Sequence, residues 1–154
     1  MTAVLSIGSN LGDRLAALRL AVEVLAPYAV SGVWETAPWG GVEQDDFLNA
    51  VVLVDAGAAL AWERAQDAEQ RAGRAAAVRW GPRTLDVDLV LADGPVPDGL
   101  VVPHPRAHRR AFVLAPWLEV DPAAVLPGHG NVADLLAALG LAGVRRCEDL
   151  SVRP

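Results

Sequence analysis

Two periodicities alternate along the first part of the chain, and their order restricts the fold more than any other feature. Residues 3–7 are an apolar, strand-like run closed by the turn signal Gly8-Ser9-Asn10. Leu15, Leu18, Val22 and Leu25 then recur at helical spacing, which predicts an amphipathic helix over about residues 12–26, stopped near Pro27. Residues 28–35 read as a short strand, 36–46 as a loop with Pro38, Gly40 and Gly41, and 47–54 as an apolar, β-branched strand. A second helix is expected over 60–71, an Arg-containing loop over 72–83, and a cleanly alternating strand over 84–91. The order β-α-β-β-α-β is the split βαβ arrangement. It predicts an α+β, ferredoxin-like βαββαβ core, with a mostly antiparallel sheet flanked by helices.

Beyond residue 91 the pattern is less regular. Asp93-Gly94 and Asp98-Gly99 are turn dipeptides that suggest a short hairpin leading to residues 100–102. Residues 104–110 read as irregular or as a short helical turn, and 112–118 as a short helix near a break at Pro116. Asn131 is placed to cap a last helix carrying Val132, Leu135, Leu136 and Leu139 and closed by Gly140. A C-terminal helical extension on a single domain spanning 1–154 is the expectation.

Composition narrows the function. With 53% hydrophobic and 21% charged residues the chain can bury a core. A net charge of −6 argues against a protein built to coat nucleic acid. All 13 basic residues are Arg, which excludes a P-loop, whose Lys holds the phosphates, and Schiff-base chemistry. The charge is uneven: residues 71–110 hold seven Arg against four acids, a local +3 within an otherwise acidic chain. Such an island suits a compact anion such as phosphate, although charge alone leaves a solvated basic surface equally open. The single cysteine, Cys147, excludes a disulfide framework. No signal peptide or membrane-length apolar run is read, so a cytoplasmic protein is expected.

Three segments carry the chemistry. In Arg83-Thr84-Leu85-Asp86-Val87-Asp88-Leu89-Val90-Leu91 the leucines and Val87 alternate with the acids, so Asp86 and Asp88 share one strand face. Two carboxylates about 6–7 Å apart repel unless a cation lies between them, and Mg²⁺ takes such oxygens while keeping positions for water and phosphate. An isolated Asp-x-Asp reads as a polar outer face. The rigid Trp80-Gly81-Pro82-Arg83 just before it reverses that balance, because it delivers an Arg beside the acid pair.

The second segment, Val102-Pro103-His104-Pro105-Arg106-Ala107-His108-Arg109-Arg110-Ala111-Phe112, packs two His and three Arg after a strand end. Pro105 between His104 and His108, and the lack of a third ligand, argue against zinc. Phosphate binding through His104 and Arg110 is the stronger reading, with an exposed basic loop as the alternative. In the third segment Asn49 falls inside an apolar strand, where its amide must find partners and offers both a donor and an acceptor to a heterocycle. Phe47 shares its face and is placed to stack on a ring.

With these segments in order, the chain resembles the 6-hydroxymethyl-7,8-dihydropterin pyrophosphokinase family of folate biosynthesis. The resemblance rests on Gly8-Ser9-Asn10-Leu11-Gly12, Thr36-Ala37-Pro38-Trp39-Gly40, Phe47-Leu48-Asn49-Ala50, the run from Arg79-Trp80-Gly81-Pro82 to Asp86-Val87-Asp88, and Val102-Pro103-His104 through Arg110-Ala111-Phe112. It implies transfer of pyrophosphate from ATP to the pterin hydroxymethyl group, with AMP leaving and two Mg²⁺ ions bridging Asp86 and Asp88 to the phosphates. It implies phosphate contacts from Arg74, Arg83, His104 and Arg110, of which Arg74 and Arg83 join the acids in catalysis, and nucleotide-side positions at Gln66 and Glu69. It also implies a pterin site in which Phe47 and Phe112 sandwich the ring and Thr36, Pro38, Trp39 and Asn49 line it, with Trp80 on a closing loop. Some members carry Tyr at the position of Phe47, and a Tyr can follow the His where this chain has Pro105. The implied partners are the pterin and ATP alone, with no nucleic acid or membrane, on a monomer.

Two other readings compete. A non-catalytic ferredoxin-like module for RNA or a metabolite would use the Arg cluster, but the acidic balance and low aromatic content count against it. A different Asp-x-Asp nucleotidyl or phosphoryl transferase would differ in its products.

Overall fold

The computed structural model describes residues 1–37, 46–73 and 84–153. The strands are β1 (Ala3–Ser9), β2 (Ala29–Val30), β3 (Val33–Thr36), β4 (Phe47–Val54), β5 (Asp86–Ala92), β6 (Val125–Leu126), β7 (Gly130–Asn131) and β8 (Val144–Cys147). The helices are α1 (Arg14–Leu25), α2 (Ala58–Arg71), α3 (Ala111–Val120) and α4 (Val132–Leu139). The main sheet runs β5-β1-β4-β3-β8, with β2 also on β4, and all its pairings are antiparallel. Its first four strands are the expected βαββαβ core.

Helices pack on both faces of the sheet, and β1 and β4 are buried almost throughout. On one face Leu5 and Ile7 of β1, Ala50 and Val52 of β4 and Val87 and Leu89 of β5 pack with Leu18 and Leu25 of α1. The α2 side of that core is a row of alanines, Ala58, Ala61, Ala65 and Ala68, while Leu60 is exposed. Small side chains at this spacing let the helix lie close to sheet and neighbour. On the opposite face Val4, Val51, Leu53 and Val90 meet Val113, Leu114 and the fully buried Trp117 of α3.

Several sequence expectations change in detail. The second strand is split into β2 and β3. Residues 100–102 form no strand, so the expected hairpin there is absent. Pro116 lies inside α3 instead of breaking it, at the sixth helical position, where its missing N–H removes one i→i−4 bond without ending the helix. Leu91 does not follow Leu85, Val87 and Leu89: the pairing with β1 slips by one residue between Val4 and Leu5, and Leu91 turns to the α3 face. The extension is not only helical, since β8 returns to the sheet beside β3. Its Arg146 donates to Glu119 of α3 at 3.0 Å, and Trp34 of β3 donates to the same carboxylate at 2.6 Å. These bonds fix where α3 crosses the sheet.

Candidate active site

Face alternation divides the α3 side of the sheet into two halves. Toward the start of β1 the outward residues are apolar and α3 covers them. Toward its end they become Ser6 and Gly8, flanked by Asp88 and Asp86 on β5 and by Val51 and Asn49 on β4. Helix α3 does not extend over this half, and a cavity of about 770 Å³ opens there. Gly8 forms its floor for a steric reason: a Cβ at that position would lie 3.0 Å from Asn49 Oδ1 and 3.9 Å from Phe47.

Asp86 and Asp88 both line the cavity, as the alternation of β5 requires. The backbone between them is held from below: Val87 N–H donates to Glu69 Oε2 of α2 at 3.0 Å. This matters because β5 is the end strand of the sheet, so donors on its outer edge need partners from outside it. Across the cavity, Arg110 precedes the first turn of α3 and brings Nη1 to 3.5 Å from Asp88 Oδ2. Its guanidinium carbon also lies 5.5 Å from the centre of the Phe112 ring.

The far wall is built for a flat polar molecule. Asn49 is buried and donates from Nδ2 to Thr36 Oγ1 at 2.7 Å. That bond fixes the amide, leaving its carbonyl oxygen toward Gly8. Phe47 from β4 and Phe112 from α3 both line the cavity, contributed by different layers of the fold.

His104 sits at the edge of this group. Its N–H donates to Val90 O at 2.8 Å, which ties the segment to the outer edge of β5. Its Nδ1 accepts from the Arg106 N–H at 3.1 Å, which assigns the proton of the neutral ring to Nε2. Burial lowers its pKa, Arg110 and Arg106 act in the same direction, and Asp88 opposes them.

The structure thus brings together Asp86, Asp88, Arg110, Thr36, Asn49, Phe47 and Phe112 around one cavity, with His104 and Glu69 bonded to the strand beneath it. Gln66 is exposed on α2 and does not line the cavity. Arg74, Arg83, Pro38, Trp39 and Trp80 lie outside the described residues. Five lining residues were missed as site residues by the sequence reading: the pair Ser6 and Gly8, the pair Arg106 and Arg109, and Ala37. Two small residues two apart on an otherwise apolar strand were the available signal for the first pair. The Arg cluster held the second.

The donor set suits a hard divalent cation. Among the described residues no group of three His, Cys, Asp or Glu could hold a metal. Two oxygen-only ligands on one wall leave the remaining positions to water and phosphate, which is the way Mg²⁺ is usually bound. No helix among the described residues is long and apolar enough to cross a membrane.

Comparison with known proteins adds to this geometry. A family model described as 7,8-dihydro-6-hydroxymethylpterin-pyrophosphokinase matches residues 4–122. The 2-amino-4-hydroxy-6-hydroxymethyldihydropteridine pyrophosphokinase of Mycobacterium leprae is 55% identical, over 83% of this chain and 76% of that protein. The protein of the same name from Mycobacterium tuberculosis H37Rv is 48% identical, over 88% of this chain and 82% of that one. Among solved structures, one described as HPPK-DHPS in complex with substrates superposes with a TM-score of 0.68 at 10% identity. It covers 94% of this chain and 46% of that one, and shows the fold.

Proposed function

The chain belongs to the 7,8-dihydro-6-hydroxymethylpterin-pyrophosphokinase family, and on that premise we propose that the cavity between β5, β4 and α3 is where it transfers pyrophosphate from ATP to the hydroxymethyl group of 6-hydroxymethyl-7,8-dihydropterin. The observation that carries the assignment is that one cavity holds the acid pair Asp86 and Asp88, the cation Arg110, and an aromatic and amide wall of Phe47, Asn49 and Phe112.

The pterin lies on the amide wall in this reading. Phe47 and Phe112 take its two faces, and the Asn49 carbonyl, held by the bond from Nδ2 to Thr36, meets a ring N–H. A preset amide binds without first losing rotamer freedom. The triphosphate lies toward β5 and the start of α3. Asp86 and Asp88 would hold the two Mg²⁺ ions, which when bound neutralise phosphate charge. Arg110 meets the phosphate oxygens, and the Nε2–H of His104 is a neutral donor beside it. Arg74 and Arg83 are assigned to the same phosphates, and Gln66 and Glu69 to the nucleotide side, by their places in the family motif. Pro38, Trp39 and Trp80 complete the pterin side on the same ground.

The reaction joins the hydroxymethyl oxygen to the β-phosphorus, and the bond from that phosphorus to the α,β-bridging oxygen breaks. The hydroxyl proton is lost and AMP leaves. Such a transfer needs alignment and charge stabilisation more than covalent help. Residues that fix the pterin on one wall and the phosphates on the other supply the alignment.

The test is product identity. Purified protein with ATP, Mg²⁺ and the hydroxymethyl pterin yields AMP and the pterin diphosphate. ADP as product, or full activity in both Asp86→Ala and Asp88→Ala, overturns the assignment.

A further inference from the structure

Two arginines line the cavity side by side near the start of α3, and they are held in different ways. Arg110 is committed to Asp88. Arg109 has no ion pair among the described residues; it donates from Nε to His108 Nε2 at 3.2 Å. His108 in turn lies flat on His129, with ring centres 3.9 Å apart and planes 10° from parallel. His129 rides on the turn between β6 and β7, where its N–H donates to Leu126 O at 3.0 Å. A line of contacts therefore runs from the small hairpin of the C-terminal extension, through two stacked rings, to a guanidinium at the cavity.

That line has a defined protonation state. His108 Nε2 accepts, so the ring is neutral with its proton on Nδ1. Nδ1 is buried and has no partner among the described residues. A charged ring would turn an N–H toward the guanidinium in place of the acceptor. Burial, His129 and Arg109 all lower the pKa of His108.

The tether uses only the Nε–H of Arg109. Four guanidinium N–H groups remain, in a plane whose tilt the tether sets, and a planar fork held in this way suits phosphate oxygens. We propose that Arg109 is a second arginine contact for the ATP triphosphate, with His108 and His129 as the positioning residues that hold it. The proposal rests on the pyrophosphokinase reading of the cavity and adds a residue to it. In this arrangement Arg110 answers both the acid wall and the phosphates, and Arg109 the phosphates alone.

Steady-state AMP formation tests it. Arg109→Gln is expected to raise the ATP KM about tenfold, with the pterin KM unchanged and kcat within about threefold of wild type. His108→Leu, which unties the guanidinium, should raise the ATP KM in the same direction. His108→Gln, which restores an acceptor near Nε2, should return it toward wild type. The double variant His108→Leu/Arg109→Gln should be no worse than Arg109→Gln alone, because both changes act through one group. Calorimetric binding of α,β-methylene-ATP with Mg²⁺ should show the same order of affinities. A wild-type ATP KM and wild-type analogue affinity in Arg109→Gln overturns the proposal while leaving the pyrophosphokinase reading intact. If wild-type protein makes no AMP, that reading fails, and analogue binding by Arg109→Gln still decides whether the arginine meets a triphosphate.

Discussion

Asp88 and Arg110 face each other across the cavity at 3.5 Å, with 45% and 24% of their side-chain surfaces still exposed. An ion pair that open to water contributes little to stability. Its consequence lies in the site: the guanidinium offsets repulsion between Asp88 and Asp86 and remains within reach of phosphate. Arg110→Gln should therefore leave the melting temperature within about 2 °C of wild type. It should lower kcat/KM for AMP formation by about 100-fold, the scale seen when one preset electrostatic contact is removed. Thermal shift and initial rates, measured on the same sample, check both halves.

Gly8 is required by what stands opposite it, not by its backbone angles. A methyl group there would press to 3.0 Å on Asn49 Oδ1. The amide cannot yield freely, because Nδ2 is bonded to Thr36 Oγ1 at 2.7 Å. Gly8→Ala should cost about 1 kcal/mol of stability by crowding. It should raise the pterin KM several-fold with the ATP KM nearly unchanged. Denaturant melts and paired KM measurements separate the two effects, and equal changes in both KM values would contradict this placement of the pterin.

The core of this fold was legible because strand and helix periods are written plainly in residues 3–91. Asp86 and Asp88 were legible for the same reason: alternation in a strand puts both on one face, and the structure places them there. The misses were non-local. Nothing in Val144–Cys147 marks it as a strand until β3 offers an edge to pair with. Glu69 is singled out only by the family resemblance, as a nucleotide-side position; its bond to the N–H of Val87, 18 residues away, has no sequence signal. Arg109 looked like its neighbours in a basic run; only the fold, by bringing His129 up to His108, distinguishes it.

Glu69 carries a prediction of its own. Its carboxylate accepts the Val87 N–H at 3.0 Å, between the two acids of β5. Glu69→Ala leaves that donor without its partner, at a cost of about 1–3 kcal/mol, or a fall in melting temperature of about 2–10 °C. AMP formation should fall as well, because Asp86 and Asp88 flank the released backbone. Glu69→Gln keeps an acceptor at the same reach and should recover most of the stability. Hydrogen exchange at the Val87 amide reports the bond directly: faster in Glu69→Ala, close to wild type in Glu69→Gln.

The stacked histidines set a dependence on pH. The folded state holds the pKa of His108 below its ordinary value of 6.5, through burial and the nearby His129 and Arg109. Above about pH 6.5 the ring is neutral in both the folded and unfolded chains, and it adds no pH dependence. As the pH falls below that value, the unfolded chain takes up a proton that the folded chain resists, so stability drops. The loss ends once the pH passes the lower folded value, where both states are charged. His108→Phe keeps a ring against His129 and cannot titrate. Its melting temperature should therefore fall less than that of wild type between pH 7 and pH 5, other acid-sensitive groups being common to both proteins. The ATP KM should follow the same division: the wild-type value climbs in acid as Arg109 loses its acceptor, and His108→Phe, which lacks that acceptor at every pH, starts high and shows only the change due to the remaining groups and to ATP itself. Parallel curves for the two proteins would mean that the ring does not titrate between its folded and unfolded states.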